Sequence, residues 1–332
     1  MTDELNPELS NSNENILRPI SFKNYVGQSK IKKQLKTYIK AAKIRKVNHL
    51  DHILISGPPG LGKTTVAHII ANEMGSKIHT AIAPAIEKPA DIVSVLLSLD
   101  PGDILFIDEI HALKRTTEEL LYSAMEDYKI DILTEDNGIQ KTLTFNLPKF
   151  TLIGATTRQG LMSTPLLDRF GIKQSLTYYS PEDLLTIISD NSKKMGIEYV
   201  KKGLVEIAKR SRGTPRIANN LLSRVRDFAI VENDSIIDEK IANETLDELG
   251  VDKHGLDERD RKVILTMFQN FNNRAVGIDS ISKTIGEDKE TVERIVEPYL
   301  LKEGLLTRTT KGRKLTEKGE EYAYVLTGLL DA

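Results

Sequence analysis

A short loop constrains this chain more than any other feature of its sequence. The segment GPPGLGKT, residues 57 to 64, follows the apolar run HILIS (52–56) and precedes a helical pattern. It matches G-x-x-x-x-G-K-[ST], whose glycines let backbone N–H groups turn onto phosphate oxygens without a Cβ clash. In such a loop Lys63 reaches the β- and γ-phosphates, and Thr64 holds Mg²⁺ at the N-terminus of the helix. The loop therefore predicts an ATP site between a strand and a helix.

Other apolar runs predict the sheet around that loop. DILFID (103–108) and FTLIGATT (150–157) look like buried parallel strands, and helical segments occur at 63–74, about 88–98 and 116–126. Strands that alternate with helices form a parallel sheet covered on both faces. The predicted fold of this part is therefore an α/β P-loop domain.

Polar residues at the ends of two of these strands are candidates for the chemistry. Asp108 and Glu109 end the second strand, and Thr157 lies at the tip of the third. Beside a P-loop, Asp108 would anchor Mg²⁺, and Glu109 would orient and deprotonate the attacking water. Thr157 would sense the γ-phosphate or steady the water. The alternative is that the acids only mark the exit of a strand into solvent, and that threonine is there for its β-propensity.

Patterns change along the chain and divide it into segments. Residues 1–15 are acidic, rich in Asn and Ser, and predicted to be a disordered tail. The P-loop domain covers 16–180 and contains a hairpin insertion, 130–147, around Asn137-Gly138. Amphipathic helices predict a small all-α domain at 181–253. Short helices and a terminal hairpin predict a winged-helix domain at 254–332.

Helical spacing also predicts which side chains are buried in two helices. In 28–46 the expected buried face is Ile31, Leu35, Tyr38, Ile39 and Ala42, with lysines opposite. In the third helix of the winged-helix segment the buried face is Val292, Ile295, Val296, Tyr299 and Leu300, and the polar face includes Glu290, Glu293 and Glu297.

Composition excludes several classes of protein. The chain has no cysteine, which excludes disulfides and thiolate zinc sites, and its formal net charge of −2 requires any nucleic-acid contact to come from a local basic patch. No apolar run is long enough to span a bilayer, and the N-terminus has no export signal. These features predict a cytoplasmic protein.

The order of motifs resembles a known family. GPPGLGKTT, LFIDEIH, AMEDY, LIGATTR, PLLDRFG and GTPRIANNLL resemble the AAA+ ATPases, and most closely the RuvB family of bacterial Holliday-junction branch-migration motors, from about Leu17 to residue 314. The resemblance implies that Arg169 is an arginine finger donated to the neighbouring subunit's ATP, and that Arg216 is a sensor-2 arginine. The other positions that it and the P-loop pattern assign to ATP are Leu17, Arg18, Gly60, Gly62, Lys63, Thr64, Thr65, Glu126, Asp127, Tyr128 and Tyr179.

The resemblance also implies partners. It predicts a hexameric ring on duplex DNA at Holliday junctions, contact with RuvA through the hairpin 130–147, and an indirect link to the resolvase RuvC. The apolar hairpin residues Ile130, Ile132, Leu133 and Ile139 fit either a partner surface or the hairpin's own core.

The terminal hairpin is the most basic segment of the winged-helix region. Residues 308 to 314, RTTKGRK, hold four basic residues and no acid, whereas the helix before them is acidic. Because glutamates repel phosphates, the hairpin rather than the helix is expected to grip the DNA backbone, through Arg308, Lys311 and Arg313. The family commonly has Pro and Arg where this chain has Thr310 and Lys311.

Two functional hypotheses remain at this point. The first is an ATP-driven DNA motor that acts in recombination and repair. The second is a nucleotide-switched loader or regulator that hydrolyses ATP slowly. The complete set Lys63, Asp108, Glu109, Arg169 and Arg216 favours turnover and therefore the motor. A protein-unfolding AAA+ enzyme is disfavoured for two reasons. The chain has no aromatic pore-loop motif, and an unfolding enzyme would not need a winged-helix domain.

Overall fold

The computed structural model describes residues 17–136 and 139–328, without the side chains of 133–141. The predicted tail, residues 1–15, and the turn Asn137-Gly138 lie outside these ranges. The chain divides into two compact units. The first comprises the chain up to Lys194 together with Thr214–Arg216, and the second comprises Met195–Gly213 and the chain from Ile217 onward.

The first unit is built on a five-stranded parallel sheet. Its strands are β1 (Ile53–Ser56), β2 (Ile78–Ile82), β3 (Ile104–Asp108), β6 (Thr151–Thr156) and β7 (Ile172–Ser175). They lie in the order β2-β3-β6-β1-β7, so the strand before the P-loop is flanked by β6 and β7. In this parallel arrangement the strands' carboxyl ends form one edge of the sheet, where a doubly wound fold binds its ligand.

Helices pack around this sheet. They are α1 (Ser29–Ile44), α2 (Lys63–Met74), α3 (Pro89–Leu97), α4 (Arg115–Glu126), α5 (Thr164–Asp168) and α6 (Pro181–Lys194). Strands β1, β3 and β6 are almost entirely buried, as their unbroken apolar runs predict. Strands β2 and β7 were not predicted. β7 alternates buried and exposed residues and carries a lysine and a glutamine, so it lacks the apolar signal of a central strand.

The predicted hairpin insertion forms an antiparallel pair between α4 and β6. Strand β4 (Lys129–Asp136) pairs with β5 (Ile139–Asn146), and Ile130 opposite Phe145 is fully buried in the core of the first unit. Further along β5, Leu143 is 47% exposed and Phe145 is 37% exposed. Ile130 therefore serves the core, while Leu143 and Phe145 lie at the surface.

The second unit contains the helical segment and the winged helix. The helical segment is β8 (Glu198–Tyr199), α7 (Lys201–Arg210), α8 (Pro215–Glu232), whose first two residues belong to the first unit, β9 (Ile236–Ile237) and α9 (Glu239–Glu248). β8 pairs with β9 in parallel, a small sheet that the all-α prediction missed.

The winged helix begins with α10 (Glu258–Gln269) and α11 (Ile278–Ile285). Next come α12 (Lys289–Thr291), a π-helical segment (Val292–Val296) and α13 (Glu297–Lys302), which together replace the single regular helix expected there. The wing is β10 (Leu306–Thr309) and β11 (Gly312–Leu315), and α14 (Glu317–Leu326) closes the domain. Apolar side chains from all these elements except α12 share one core.

Three predictions of side-chain environment are wrong. Tyr38 and Ile295, expected in the core, are 37% and 48% exposed. Glu297, expected on a solvated face, is 1% exposed. The π-helical segment explains the errors at Ile295, which lies within it, and at Glu297, which follows it, because a wider turn changes the angular spacing of side chains from the regular 3.6-residue period.

Candidate nucleotide site and wing surface

The P-loop adopts the backbone that its glycines predict. Gly60 and Gly62 have φ angles of 79° and 94°, a region that side-chain-bearing residues rarely enter. Gly62 is the residue before α2, so Lys63, Thr64 and Thr65 form the first turn of that helix. Their unsatisfied N–H groups and the helix dipole face the loop. The geometry is that of an anion-binding turn.

Lys63 is held inside this turn. Its ammonium donates to the carbonyl oxygens of Gly57 at 2.8 Å and Pro58 at 3.1 Å, and the side chain is buried. Burial lowers the pKa of Lys63, and the nearby charges of Glu109 and Asp108 oppose that shift. Lysine and both acids therefore share one electrostatic site, as the order of the motifs predicts.

The end of β3 places two carboxylates beside the loop. Asp108 Oδ1 accepts a hydrogen bond from the backbone N–H of Glu109 at 2.9 Å. The pKa of Asp108 is raised, mainly by burial and further by the negative charge of Glu109. The hydrogen bond from the Glu109 N–H and the positive charge of Lys63 oppose this rise. Glu109 itself has a φ of 49°, a left-handed backbone conformation that residues with side chains rarely adopt.

Glu109 is oriented by the end of β6. Its carboxylate accepts hydrogen bonds from the backbone N–H of Thr157 at 3.2 Å and from the Thr157 hydroxyl at 3.0 Å. Nδ1 of His111 lies 3.1 Å from Glu109 and 2.9 Å from the hydroxyl of Thr156. Strand pairing between β3 and β6 thus brings the acid and the threonines together, and Thr157 holds Glu109 in place.

Tyr179 lies next to the P-loop at the buried end of the site. Its hydroxyl donates to the Tyr25 hydroxyl at 3.0 Å and lies 3.4 Å from the carbonyl of Leu61, and its ring packs against Gly27. Leu17 and Arg18 are the two other residues assigned to this end. The carbonyl of Leu17 accepts a hydrogen bond from Lys194. Burial lowers the pKa of His68 on α2, and the positive charge of Arg18 lowers it further.

Arg216 lies directly on the P-loop. Its backbone N–H donates to the carbonyl of Gly60 at 3.4 Å. A Cβ added at Gly60 would lie 3.1 Å from Cβ of Arg216, and the φ of 79° would strain any side chain there, so glycine suits this approach. The start of α8 is thus attached to the loop that would carry the phosphates.

Arg169 and the residues at the end of α4 lie away from the P-loop. Arg169 precedes β7 and Tyr128 precedes β4, and the ring of Tyr128 packs on His52 and Phe150, which precede β1 and β6. These residues occupy the amino edge of the sheet, whereas the P-loop occupies the carboxyl edge. Asp127 caps the end of α4 beside them. The chain does not bring Glu126, Asp127, Tyr128 or Arg169 to its own P-loop.

At the amino edge Arg169 is anchored by its own chain. It donates to a carboxylate oxygen of Glu126 at 2.7 Å and to the carbonyl of Pro165 at 2.8 Å. Its guanidinium carbon lies 4.5 Å from the ring centre of Tyr122. The arginine is therefore oriented by α4 and α5 within one subunit.

The wing holds its arginines on a buried acid. Arg308 and Arg313 face each other across β10 and β11, and both donate to Glu297, at 2.7 and 2.9 Å. Burial alone would raise the pKa of Glu297, but hydrogen bonds from Arg308 and Arg313 hold it below its ordinary value. Lys311, in the turn between the strands, is exposed. The predicted wing cations therefore form one surface, supported from beneath by Glu297.

Three family models cover most of the chain. The P-loop domain of the Holliday junction DNA helicase RuvB matches residues 17–176, the RuvB AAA lid domain matches 179–252, and the RuvB C-terminal winged helix domain matches 253–323. The chain is also 50% identical over 329 residues to the Holliday junction branch migration complex subunit RuvB of Pediococcus pentosaceus, across 99% of this chain and 94% of that one. The chain belongs to the RuvB family.

Other relatives agree with this assignment. The RuvB subunit of Leuconostoc mesenteroides is 53% identical over 303 residues, which covers 91% of this chain and 86% of the relative. The solved structure of the RuvB Holliday junction branch migration motor of Thermotoga maritima superposes with a TM-score of 0.83 at 43% identity, over 92% of this chain and 98% of that one. Membership of the RuvB family makes this chain a nucleotide-binding AAA+ ATPase with a winged-helix domain.

Two residues that support the nucleotide site of this RuvB chain were not predicted from the sequence. Tyr25 hydrogen-bonds Tyr179, and Gln28 binds the backbone of Thr177 through both ends of its amide, at 2.6 Å and 3.3 Å. Both come from the loop before α1, far from the P-loop in sequence, and no local pattern marks them. Among the helices that the structure describes, none is long and apolar enough to cross a membrane.

Proposed function

We propose that this chain is an ATP-driven translocase that pulls duplex DNA through a ring at Holliday junctions and so drives branch migration in recombination and repair. Its reaction is ATP hydrolysis, in the helicase and translocase class (EC 3.6.4.-). Its relatives are named as subunits of the Holliday junction branch migration complex, and the solved neighbour is named a branch migration motor.

The observation that carries this proposal is the division of the nucleotide machinery between two edges of one sheet. Lys63, Asp108, Glu109 and Arg216 lie at the carboxyl edge, and Arg169 lies at the amino edge. A subunit in this arrangement cannot deliver its own arginine to its own nucleotide. Each complete site would need two subunits, and a head-to-tail arrangement of this kind gives a ring when the rotation between neighbours closes. Six is the number that the family resemblance implies.

The residues at the carboxyl edge suit hydrolysis of ATP. Glu109, fixed by Thr157, would accept the proton of the attacking water. Lys63 would neutralise the β- and γ-phosphates, and the neighbour's Arg169 would stabilise charge on the transferring phosphoryl group. Glu126, Asp127 and Tyr128, which lie beside Arg169, would also serve the neighbour's nucleotide.

Thr64 and Asp108 fit a magnesium ion. A threonine hydroxyl and an aspartate carboxylate are hard oxygen ligands, the type that Mg²⁺ prefers. Burial raises the pKa of Asp108, and the charge of Lys63 opposes that rise. In the described residues no group of three or more His, Cys, Asp or Glu forms a metal cage. That agrees with an ion held by one or two side chains together with phosphates. When bound, Mg²⁺ would neutralise charge that develops on the phosphates.

DNA would be held by the wing, through its backbone. Arg308, Lys311 and Arg313 lie on one hairpin, and a translocating ring needs contacts that do not depend on sequence. RuvA would bind the hairpin β4–β5, where the apolar residues Leu143 and Phe145 are exposed. RuvC would join through that complex, without a contact assigned to this chain.

A junction-dissociation assay with RuvA tests the proposal. We expect Glu109→Gln to abolish ATP-dependent dissociation while ATP still binds, because the base is lost but the phosphate loop is intact. Glu87→Gln, an exposed acid of the same unit, is the matched control and should behave as wild type. Dissociation by wild type that continues unchanged with a non-hydrolysable nucleotide would instead support a nucleotide-switched loader.

A further inference from the structure

Helix α4 presents three polar side chains on one face. Glu118, Tyr122 and Glu126 are spaced four residues apart, so they occupy successive turns of the same side of the helix. All three contact the segment from Ser163 to Arg169, which contains α5. This face therefore spans the whole of the short helix that leads to Arg169.

Tyr122 touches both ends of that segment. Its hydroxyl lies 3.0 Å from the hydroxyl of Ser163, and Ser163 caps the first turn of α5 by accepting from the N–H of Leu166. At the other end the guanidinium of Arg169, the residue that follows the last turn of α5, lies over the Tyr122 ring at 4.5 Å. One aromatic side chain thus fixes the start of α5 and the arginine at its end.

Glu118 holds the tyrosine in that orientation. Its carboxylate is buried, and it accepts from the Ser163 hydroxyl at 2.6 Å and from the Tyr122 hydroxyl at 3.3 Å. A buried carboxylate is costly unless it is hydrogen-bonded, so this trio holds together. The ring of Tyr122 is consequently a fixed surface rather than a mobile side chain.

Arg169 depends on this surface for its conformation. Its Nε atom is buried without a partner among the described residues, and only the two outer nitrogens are hydrogen-bonded. A buried donor without an acceptor disfavours the rotamer, so other contacts must impose it. Stacking on Tyr122 is such a contact, since a guanidinium is attracted to the face of an aromatic ring.

We propose that Tyr122, fixed by Glu118 and Ser163, is the positioning residue for Arg169 and therefore acts on the nucleotide of the neighbouring subunit and not on its own. This rests on the proposed function, in which Arg169 is donated across the subunit boundary. Tyr122 does not touch ATP. It holds the guanidinium against α4, where the outer nitrogens donate to Glu126 and to the carbonyl of Pro165.

The test is ATP hydrolysis by mixed rings on duplex DNA. Tyr122→Leu removes the ring and the hydroxyl. By itself this change should lower kcat about 100-fold with little change in KM, because Arg169 would be misplaced and its guanidinium acts mainly on the transition state. Tyr38→Leu, which changes an exposed tyrosine on α1, is the matched control and should retain wild-type turnover.

Mixing shows which site Tyr122 serves. Lys63→Ala subunits lack a working phosphate loop but keep the arginine, so mixed with Tyr122→Leu subunits they should recover turnover above either parent. Tyr122→Leu mixed with Arg169→Ala should recover none, because both populations fail as donors. Recovery in the second mixture, or none in the first, would overturn the proposal, and so would wild-type turnover by Tyr122→Leu alone.

A reference mixture distinguishes failure of the Tyr122 proposal from failure of the proposal that Arg169 is donated to the neighbouring subunit. If Lys63→Ala and Arg169→Ala recover turnover together, any contrary result concerns Tyr122 alone. If they do not, Arg169 is not donated and both proposals fall. Should Tyr122→Leu not fold, Tyr122→Phe keeps the ring and loses only the hydroxyl. In the same mixtures Tyr122→Phe should show a smaller kcat defect with the same pattern of recovery, and any other pattern would overturn the proposal.

Discussion

The P-loop and the wing both hold basic side chains for phosphate, but they hold them by different means. At the P-loop, Lys63 is fixed by carbonyl groups of its own loop, and it interacts with the charges of Glu109 and Asp108 at the end of β3. At the wing, Arg308 and Arg313 are fixed by one carboxylate, Glu297, from a helix that precedes the hairpin. The P-loop lysine is therefore held mainly by backbone groups, whereas the wing arginines are held by a single side chain.

This difference determines how each site responds to substitution. A site made of backbone groups tolerates changes in surrounding side chains but depends on glycines with unusual φ angles. A site that rests on one buried acid depends on that acid and on its ionisation. The wing should therefore be sensitive to substitution of one glutamate in a way that the P-loop is not.

The largest expected effect on DNA binding comes from removing both wing arginines. Arg308→Ala with Arg313→Ala should weaken duplex DNA binding roughly 10- to 100-fold and lower the slope of log K against log salt concentration by about two, one for each phosphate contact. ATP affinity should be unchanged, because the P-loop does not use these residues. Salt titrations by fluorescence anisotropy measure the slope.

Lys262→Ala is the control for that experiment, since it removes an exposed charge from α10 of the same domain. It should leave the slope nearly unaltered. An unaltered slope in the double variant as well would show that the wing does not hold DNA.

The backbone of the wing provides a second comparison. Gly312 has a φ of 134°, and a Cβ there would lie 2.3 Å from the carbonyl oxygen of Val276. We expect Gly312→Ala to destabilise the wing by about 3 kcal/mol, a cost typical of a strained backbone position. Hydrogen exchange of β10 and β11 amides in the full chain would report it as faster exchange.

The adjacent Gly277 is a matched control, because nothing lies within 4 Å of an added Cβ and its φ is ordinary. Gly277→Ala should change wing protection by no more than about 0.5 kcal/mol. Equal protection in both variants would mean that the Val276 contact does not restrict the wing.

The smallest expected effect concerns pH. The folded pKa of Glu297 lies below its ordinary value of 4.5, so its ionised form stabilises the fold above that value, and the stabilisation is lost as pH falls through the folded pKa. Glu297→Gln should cost about 1.5 kcal/mol near neutral pH, the contribution of a hydrogen bond to a charged group. Wild type and variant should then converge as the solution becomes more acidic than pH 4.5.

Hydrogen exchange of the wing at neutral and acidic pH would measure that convergence. Glu321→Gln, which changes an exposed acid on α14, is the control and should show no such pH dependence. A constant difference between wild type and Glu297→Gln across the whole range would contradict the assignment of the shift to Glu297.

Much of the nucleotide site could be predicted because its determinants are local. The P-loop, Asp108, Glu109 and Thr157 follow directly after apolar runs, and parallel pairing brings strand ends to one edge. Tyr25 and Gln28 could not be predicted, because they reach the site from a loop before α1 without any local pattern.

The sequence by itself determined the P-loop, the three buried central strands and the basic hairpin, because each depends on the order and spacing of neighbouring residues. Only the tertiary structure decided that Glu297 is buried under the wing and that Tyr122 lies beneath Arg169. Such contacts join side chains that are 16 and 47 residues apart. Their formation depends on how elements pack and on one π-helical turn, and neither is encoded in a local repeat.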